Sequence, residues 1–201
     1  MTTRLLKLIG ATLLLCGCAY STVGPVSPYF DFKNKLGEKH PYHQSMIIKS
    51  SQGIDENARY LSAFKIVTQK EVNKAMLQSL KVHDLLSPDP ENAKYILYTK
   101  FHAVSAPTTL DRSTPATAVL DYELFDIKTK SSLQKGRITA YGDAKGITDI
   151  TKRAAESGRC AVRSALYQMT YELVYERKIP PTKKTTAGGC SFRETTRYYY
   201  Y

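Results

Sequence analysis

The sequence predicts an α+β two-layer sandwich, with two helices on one face of a mainly antiparallel four-stranded sheet. Three observations carry this prediction. Two segments repeat their apolar residues at helical spacing, three segments between them alternate with period two, and one short apolar segment precedes the first helix. Over 201 residues, 42% apolar and 23% charged, the chain has enough apolar material for one ordinary core and too much for a disordered chain. No fixed-period repeat is present, and no apolar run approaches the roughly 20 residues that span a bilayer as a helix.

The element order is β-α-β-β-β-α. Ser45 to Ser50, with Met46, Ile47 and Ile48, is the first strand. Thr68 and Glu71 form a capping box, in which the threonine accepts from the Glu71 amide while Glu71 reaches back. The helix that follows places Val72, Ala75, Met76, Ser79, Leu80, His83 and Leu86 on one stripe, and Ser87-Pro88-Asp89-Pro90 stops it. Tyr95–Val104, Thr117–Ile127 and Leu133–Tyr141 then alternate as strands, rich in aromatic and β-branched residues. Lys128–Ser131 is short enough to close the last two into a hairpin. Opposing Ile127 with Leu133 pairs Glu123 with Arg137 and Asp121 with Thr139. The carboxylates Asp121 and Glu123 read as a cross-strand salt-bridge site on a solvated face, with an acid–base pair as the alternative. The long final helix, about Asp149 to Glu176, carries Ala155, Gly158, Val162, Ala165, Leu166, Met169 and Leu173 as its apolar stripe. Small residues at Ala154, Ala155, Gly158 and Ala161 let its first half approach the sheet closely.

The N-terminus reads as an address. Arg4 and Lys7 precede an apolar stretch from Leu8 to Leu15, the layout of a secretory signal. Leu15-Cys16-Gly17-Cys18 resembles the bacterial lipobox, with a small residue before the cut and a thiol after it. That resemblance implies a signal peptide at 1–17 and Cys18 as the first mature residue, carrying diacylglycerol and an N-acyl chain such as palmitate. A simple signal peptide cleaved nearby is the alternative. Ala19, where inner-membrane lipoproteins have Asp, implies the periplasmic face of the outer membrane. Three acyl chains exceed the two signals that stable anchoring requires. No other cofactor is expected.

Residues 18–44, rich in Gly, Pro, Ser, Tyr and Lys, read as a lipidated tether. Residues 45–177 form the α+β domain, and 178–201 a basic, Tyr-rich tail. After removal of 1–17 two cysteines remain, Cys160 and Cys190, and an even pair in an oxidising compartment reads as a disulfide. Closing about 30 residues stabilises by roughly 3–4 kcal/mol on the chain-entropy estimate. A reactive thiol is the alternative, without a CxxC or acid–base partner to support it. Such a bridge would pin the tail onto the last helix.

The segments Val72–Leu80, Ala93–Leu97, Asp121–Asp126, Arg153–Glu156 and Arg163–Leu166 resemble a family of small uncharacterised bacterial outer-membrane lipoproteins. The resemblance spans roughly 60–175 and contains no catalytic motif. The element order is also similar to the lipoprotein that plugs the lipopolysaccharide translocon and to auxiliary lipoproteins of lipid-transport ABC systems. This chain departs from the family in its hairpin turn, which lacks Gly, and in its Tyr-rich tail.

Chemistry-bearing patterns are sparse. Some members of the family carry an acyltransferase label. The residues five after His40, His43, His83 and His102 are Ser45, Ile48, Pro88 and Pro107, so the His-x4-Asp device of acyltransferases is absent. Glu156-Ser157-Gly158 lacks the first Gly of a serine elbow, and His40 and His43 have no carboxylate at ligand spacing. There is neither a phosphate-binding loop nor a dinucleotide fingerprint. The remaining lead is charge: losing Arg4 and Lys7 takes the formal +11 to +9. In the periplasm that excess faces anionic lipid, lipopolysaccharide phosphates or an acidic partner rather than nucleic acid. Arg153, Arg159 and Arg163 with Lys183, Lys184, Arg193 and Arg197 are the candidate patch, against ordinary solvated charge. The expectation is a non-enzymatic accessory or structural subunit of an envelope assembly, serving secretion, lipid transport or a surface structure. A stand-alone lipid- or glycan-binding module is the alternative, and an acyltransferase-like enzyme the third.

Overall fold

The computed structural model describes residues 37–55, 59–60, 64–65, 67–105, 115–144, 147–175, 186–187 and 190–191. Strand β1 (Met46–Ile48) is followed by a small ribbon of β2 (Arg59–Tyr60) and β3 (Phe64–Lys65), then helix α1 (Gln69–Val82). Long strands β4 (Tyr95–Ser105), β5 (Ala116–Asp126) and β6 (Ser131–Ala144) lead into helix α2 (Ile150–Tyr175). Two short strands, β7 (Thr186–Ala187) and β8 (Cys190–Ser191), come from the tail. The main sheet runs β1-β4-β5-β6-β8-β7, with β1 parallel to β4 and the other pairs antiparallel. Its first four strands and the two helices are the predicted sandwich. The tail strands extend it beyond the prediction.

The alternation places its apolar residues where expected. Leu97, Phe101, Ala118, Leu120, Leu124, Ile138 and Ala140 are buried beneath the helices, with Met76 of α1 and Val162, Ala165, Leu166, Met169 and Leu173 of α2. Thr99 of β4 donates to the Met76 sulfur, which ties α1 to the same sheet face that α2 covers. Among the described residues no helix lies on the other face.

Helix α1 begins as predicted: the Glu71 amide donates to Thr68 Oγ1 at 3.2 Å, and the Thr68 amide donates to Glu71 Oε2 at 2.8 Å. It ends earlier than the Ser-Pro-Asp-Pro stop. His83 is the C-cap, Asp84 takes φ +53, and the Leu85 amide donates to the Leu80 carbonyl at 2.9 Å while the Asp84 amide donates to Lys81. This is a Schellman closure with Asp in place of the usual Gly, which is why the pattern alone does not reveal it. Leu86 therefore leaves the helical stripe and bridges to Met46.

The β5–β6 register is two residues away from the predicted one. Asp126 faces Ser131 across a four-residue turn, and an irregularity beside Phe125 resets the ladder so that Asp121 faces Arg137 and Glu123 faces Lys135. The Asp126 carboxylate accepts from the Lys128 and Thr129 amides, and Lys130 takes the left-handed position (φ +53) that a Gly would otherwise fill.

Helix α2 sits unusually close to β6. A Cβ on Gly142 would lie 2.1 Å from the Ala161 amide nitrogen, so Gly142 sets the helix–sheet distance. The Ala144 amide donates to Ser157 Oγ at 3.1 Å, closing the contact one step further along. Deeper in the core, Tyr122 donates to Glu172 Oε2 at 2.7 Å and accepts from Gln134 at 3.0 Å.

Candidate functional site

The open face of the sheet is built from side chains that alternate away from the core. Two rows cross it: Tyr98, Glu123 and Lys135, then Lys100, Asp121 and Arg137, each row being in register across β4, β5 and β6. The segment after β1 adds Lys49, Ser50 and Gln52 along the edge, held to β4 by Gln52–Thr99 and Phe101–Gln52 backbone hydrogen bonds. Gly53 makes this approach possible: at φ +88, its Cα passes so near the Phe101 carbonyl that a Cβ would be 1.9 Å from the oxygen. Together these residues line a groove of about 540 Å³.

A bulge between Phe101 and Ala103 takes His102 out of the ladder, a placement that re-aims its side chain. His102 Nε2 lies 2.6 Å from Asp121 Oδ2. Arg137 binds the same carboxylate in a bidentate fork, Nε to Oδ1 at 2.6 Å and Nη2 to Oδ2 at 2.7 Å. The Arg137 guanidinium holds the Asp121 carboxyl below its ordinary range, His102 adds to that, and partial burial opposes it. Asp121 is thus an acceptor, not a proton donor, near neutral pH. Lys135 pairs with Glu123 at 3.1 Å. Such half-exposed pairs contribute little to stability; they fix where charge sits. Lys49 Nζ lies 5.5 Å from the Tyr98 ring centroid, and Tyr98 meets Phe125 edge-to-face.

The sequence-derived patch lies elsewhere. Arg153 pairs with Asp143 at 2.8 Å and Arg159 with Glu156 at 2.6 Å, both largely buried pairs. Burial lowers the pKa of Arg163, with Glu156 opposing. Lys183, Lys184, Arg193 and Arg197 lie outside the described residues, as does Cys18. Cys160 is buried and disulfide-bonded, and the Cys190 backbone faces Ala144 on the sheet edge. Among the described residues no group of three or more His, Cys, Asp or Glu side chains is placed to hold a metal, and no helix is long and apolar enough to cross a membrane. The ion-pair reading of Asp121 and Glu123 had the right chemistry but the wrong partners: Arg137 belongs to Asp121 and Lys135 to Glu123. It missed the groove, because neither the bulge at His102 nor the Lys49–Gln52 edge leaves a mark in the alternation.

Fold and site together define a two-layer α+β domain with a polar, charge-paired groove on its uncovered sheet face. No protein-family profile and no curated protein matches the chain. Among solved structures it is similar to a Xanthomonas campestris protein of the DUF330 family (12% identity, TM-score 0.44, covering 67% of this chain and 85% of that one). It is similar also to a candidate neuraminyllactose-binding hemagglutinin homolog from Helicobacter pylori (15% identity, TM-score 0.41, 71% and 90% covered). A third is a candidate lipoprotein from Caulobacter crescentus (15% identity, TM-score 0.39, 67% and 92% covered).

Proposed function

We propose that the chain is a non-enzymatic, lipid-anchored recognition subunit of an envelope assembly, presenting its open sheet face to a partner. The observation that carries this reading is the state of the groove's carboxylates. Asp121 is locked between Arg137 and His102, and Glu123 is paired with Lys135. General acid–base work needs a group whose pKa lies near the working pH, and Asp121 is displaced the other way. Fixed, paired charges on a rigid sheet suit recognition instead.

The lipobox-like Cys18 supplies the anchor in this reading. Cys18→Ser should move the protein from membranes washed with salt and carbonate into the soluble fraction; retention would overturn the anchor. Photo-crosslinking in intact cells from Thr139, on the open face, should capture a defined set of envelope proteins at fixed stoichiometry, while Leu77 on the far side of α1 captures none. Recovery of the chain with no envelope protein would favour the stand-alone binding module instead.

We further propose that Cys190 is the partner of Cys160. In support, β8 lies beside Ala144 of β6, and the neighbouring Gly142 packs on the Cys160 backbone. Neither thiol should react with an alkylating agent before reduction and both should react afterwards; labelling of the unreduced chain would overturn the pairing.

A further inference from the structure

We infer that the open-face groove binds an acidic saccharide, a chain of sugars bearing carboxylates, with its carboxylate on the β1–β4 side and its hydroxyls toward β5 and β6. This rests on the reading of that face as a recognition surface and names what it recognises. Four cations (Lys49, Lys100, Lys135 and Arg137) and two carboxylates (Asp121 and Glu123) line the groove. The carboxylates are already paired with Arg137 and Lys135 on the β5–β6 side. Lys49 and Lys100 have no carboxylate at ion-pair distance among the described residues, and both are exposed. The uncompensated positive charge is therefore concentrated along one edge.

That distribution discriminates among anions. A bilayer surface or a bare phosphate offers only negative charge and meets Asp121 and Glu123 in the middle of the groove, where like charge repels it. A sugar ring offers hydroxyls that donate as well as accept, so a groove lined by both cations and carboxylates is its natural complement. Ser50 and Gln52 add neutral polar groups beside Lys49 and Lys100. Tyr98 lines the groove beneath Lys49 and adds its aromatic side chain to the wall. The wall lacks the aliphatic residues that an acyl chain would require, and about 540 Å³ lies within the ordinary range of small-ligand sites.

The test is a calorimetric titration of the full chain in detergent micelles with trigalacturonate, a trimer of carboxylate-bearing sugars. Binding is expected, with a loss of tenfold or more in affinity for each of Lys49→Gln and Lys100→Gln. The methyl-esterified, uncharged trimer should lose at least as much. Lys128→Gln, on the hairpin turn, should leave affinity unchanged, and circular dichroism should show every variant folded. No binding, or binding indifferent to both lysines, overturns the proposal. So does equal competition by inorganic phosphate, or lysine-dependent capture by anionic phospholipid vesicles or an acidic peptide in preference to the trimer. If the sugar fails while Thr139 still crosslinks to envelope proteins, the ligand is wrong and the recognition face stands; if both fail, that face is not a recognition surface.

Discussion

Gly142→Val should leave no stably folded domain. A Cβ at this position would sit 2.1 Å from the Ala161 nitrogen, 2.5 Å from the Cys160 carbonyl carbon and 2.7 Å from Cys160 Cβ. Two of those three atoms are helix backbone, so no rotamer change relieves the clash; α2 itself must move. Moving it separates the residues that form the centre of the core, Ala161, Val162 and Ala165, from β5 and β6. Overpacking of side chains against each other typically costs about 1–3 kcal/mol. A backbone obstruction at the main helix–sheet contact should cost about 4 kcal/mol or more, against a total domain stability of about 5–15 kcal/mol. Urea unfolding monitored by circular dichroism is the measurement, with Lys135→Ala as control, since its exposed side chain should change stability by less than about 1 kcal/mol. A Gly142→Val protein with a near-native midpoint would show that α2 does not pack on β6 as described.

Stability should also fall steeply in mild acid because of His83. This residue is 3% exposed at the C-terminus of α1, and burial pushes its imidazole down from 6.5 to about 4, with Asp84 partly opposing. The unfolded chain takes up the proton near 6.5, whereas the folded chain resists it until about pH 4. Between those values the unfolded state binds more protons, so stability is highest above 6.5, declines as pH falls through the window, and levels off below the folded value. The full difference corresponds to roughly 3 kcal/mol. Urea midpoints at pH 7 and pH 4.5 should therefore differ clearly in the native chain. In His83→Gln that difference should shrink to what the carboxylates contribute. An equal slope in both proteins would show that His83 titrates normally and is not desolvated.

Much of this architecture is legible in the residues. Period-two alternation separated the two faces of β4, β5 and β6, and the Thr68–Glu71 capping box placed the start of α1 to the residue. These patterns are local, and each reports burial or an unsatisfied helix amide directly. The small residues of α2 likewise announced a close approach to the sheet, though not that Gly142 would be its counterpart. The errors fall where one residue changes the geometry without changing the pattern. Asp84 in a left-handed conformation ended α1 early, and closure of Asp126 on Ser131, with a one-residue irregularity beside Phe125, moved the register two positions from the expected one, giving Arg137 to Asp121 instead of Glu123. A two-residue shift preserves which face each side chain occupies, so alternation is blind to it.

The same distinction separates the two cationic regions. Counting charges along α2 suggested a patch of Arg153, Arg159 and Arg163, but Asp143 and Glu156 neutralise the first two, and all three lie against protein. One-dimensional spacing does not reveal which acids a neighbouring strand brings to a helix. By itself, then, the sequence determined the element types, the buried faces, the helix cap and the lipobox-like start, because each depends on near neighbours in the chain. Only the tertiary structure decided the pairing register, the bulge that turns His102 to Asp121, the docking of tail strands on β6, and the groove that assembles Lys49 with Lys100. Those depend on contacts between separate segments of the chain, where a single bulge or left-handed residue decides which side chains meet.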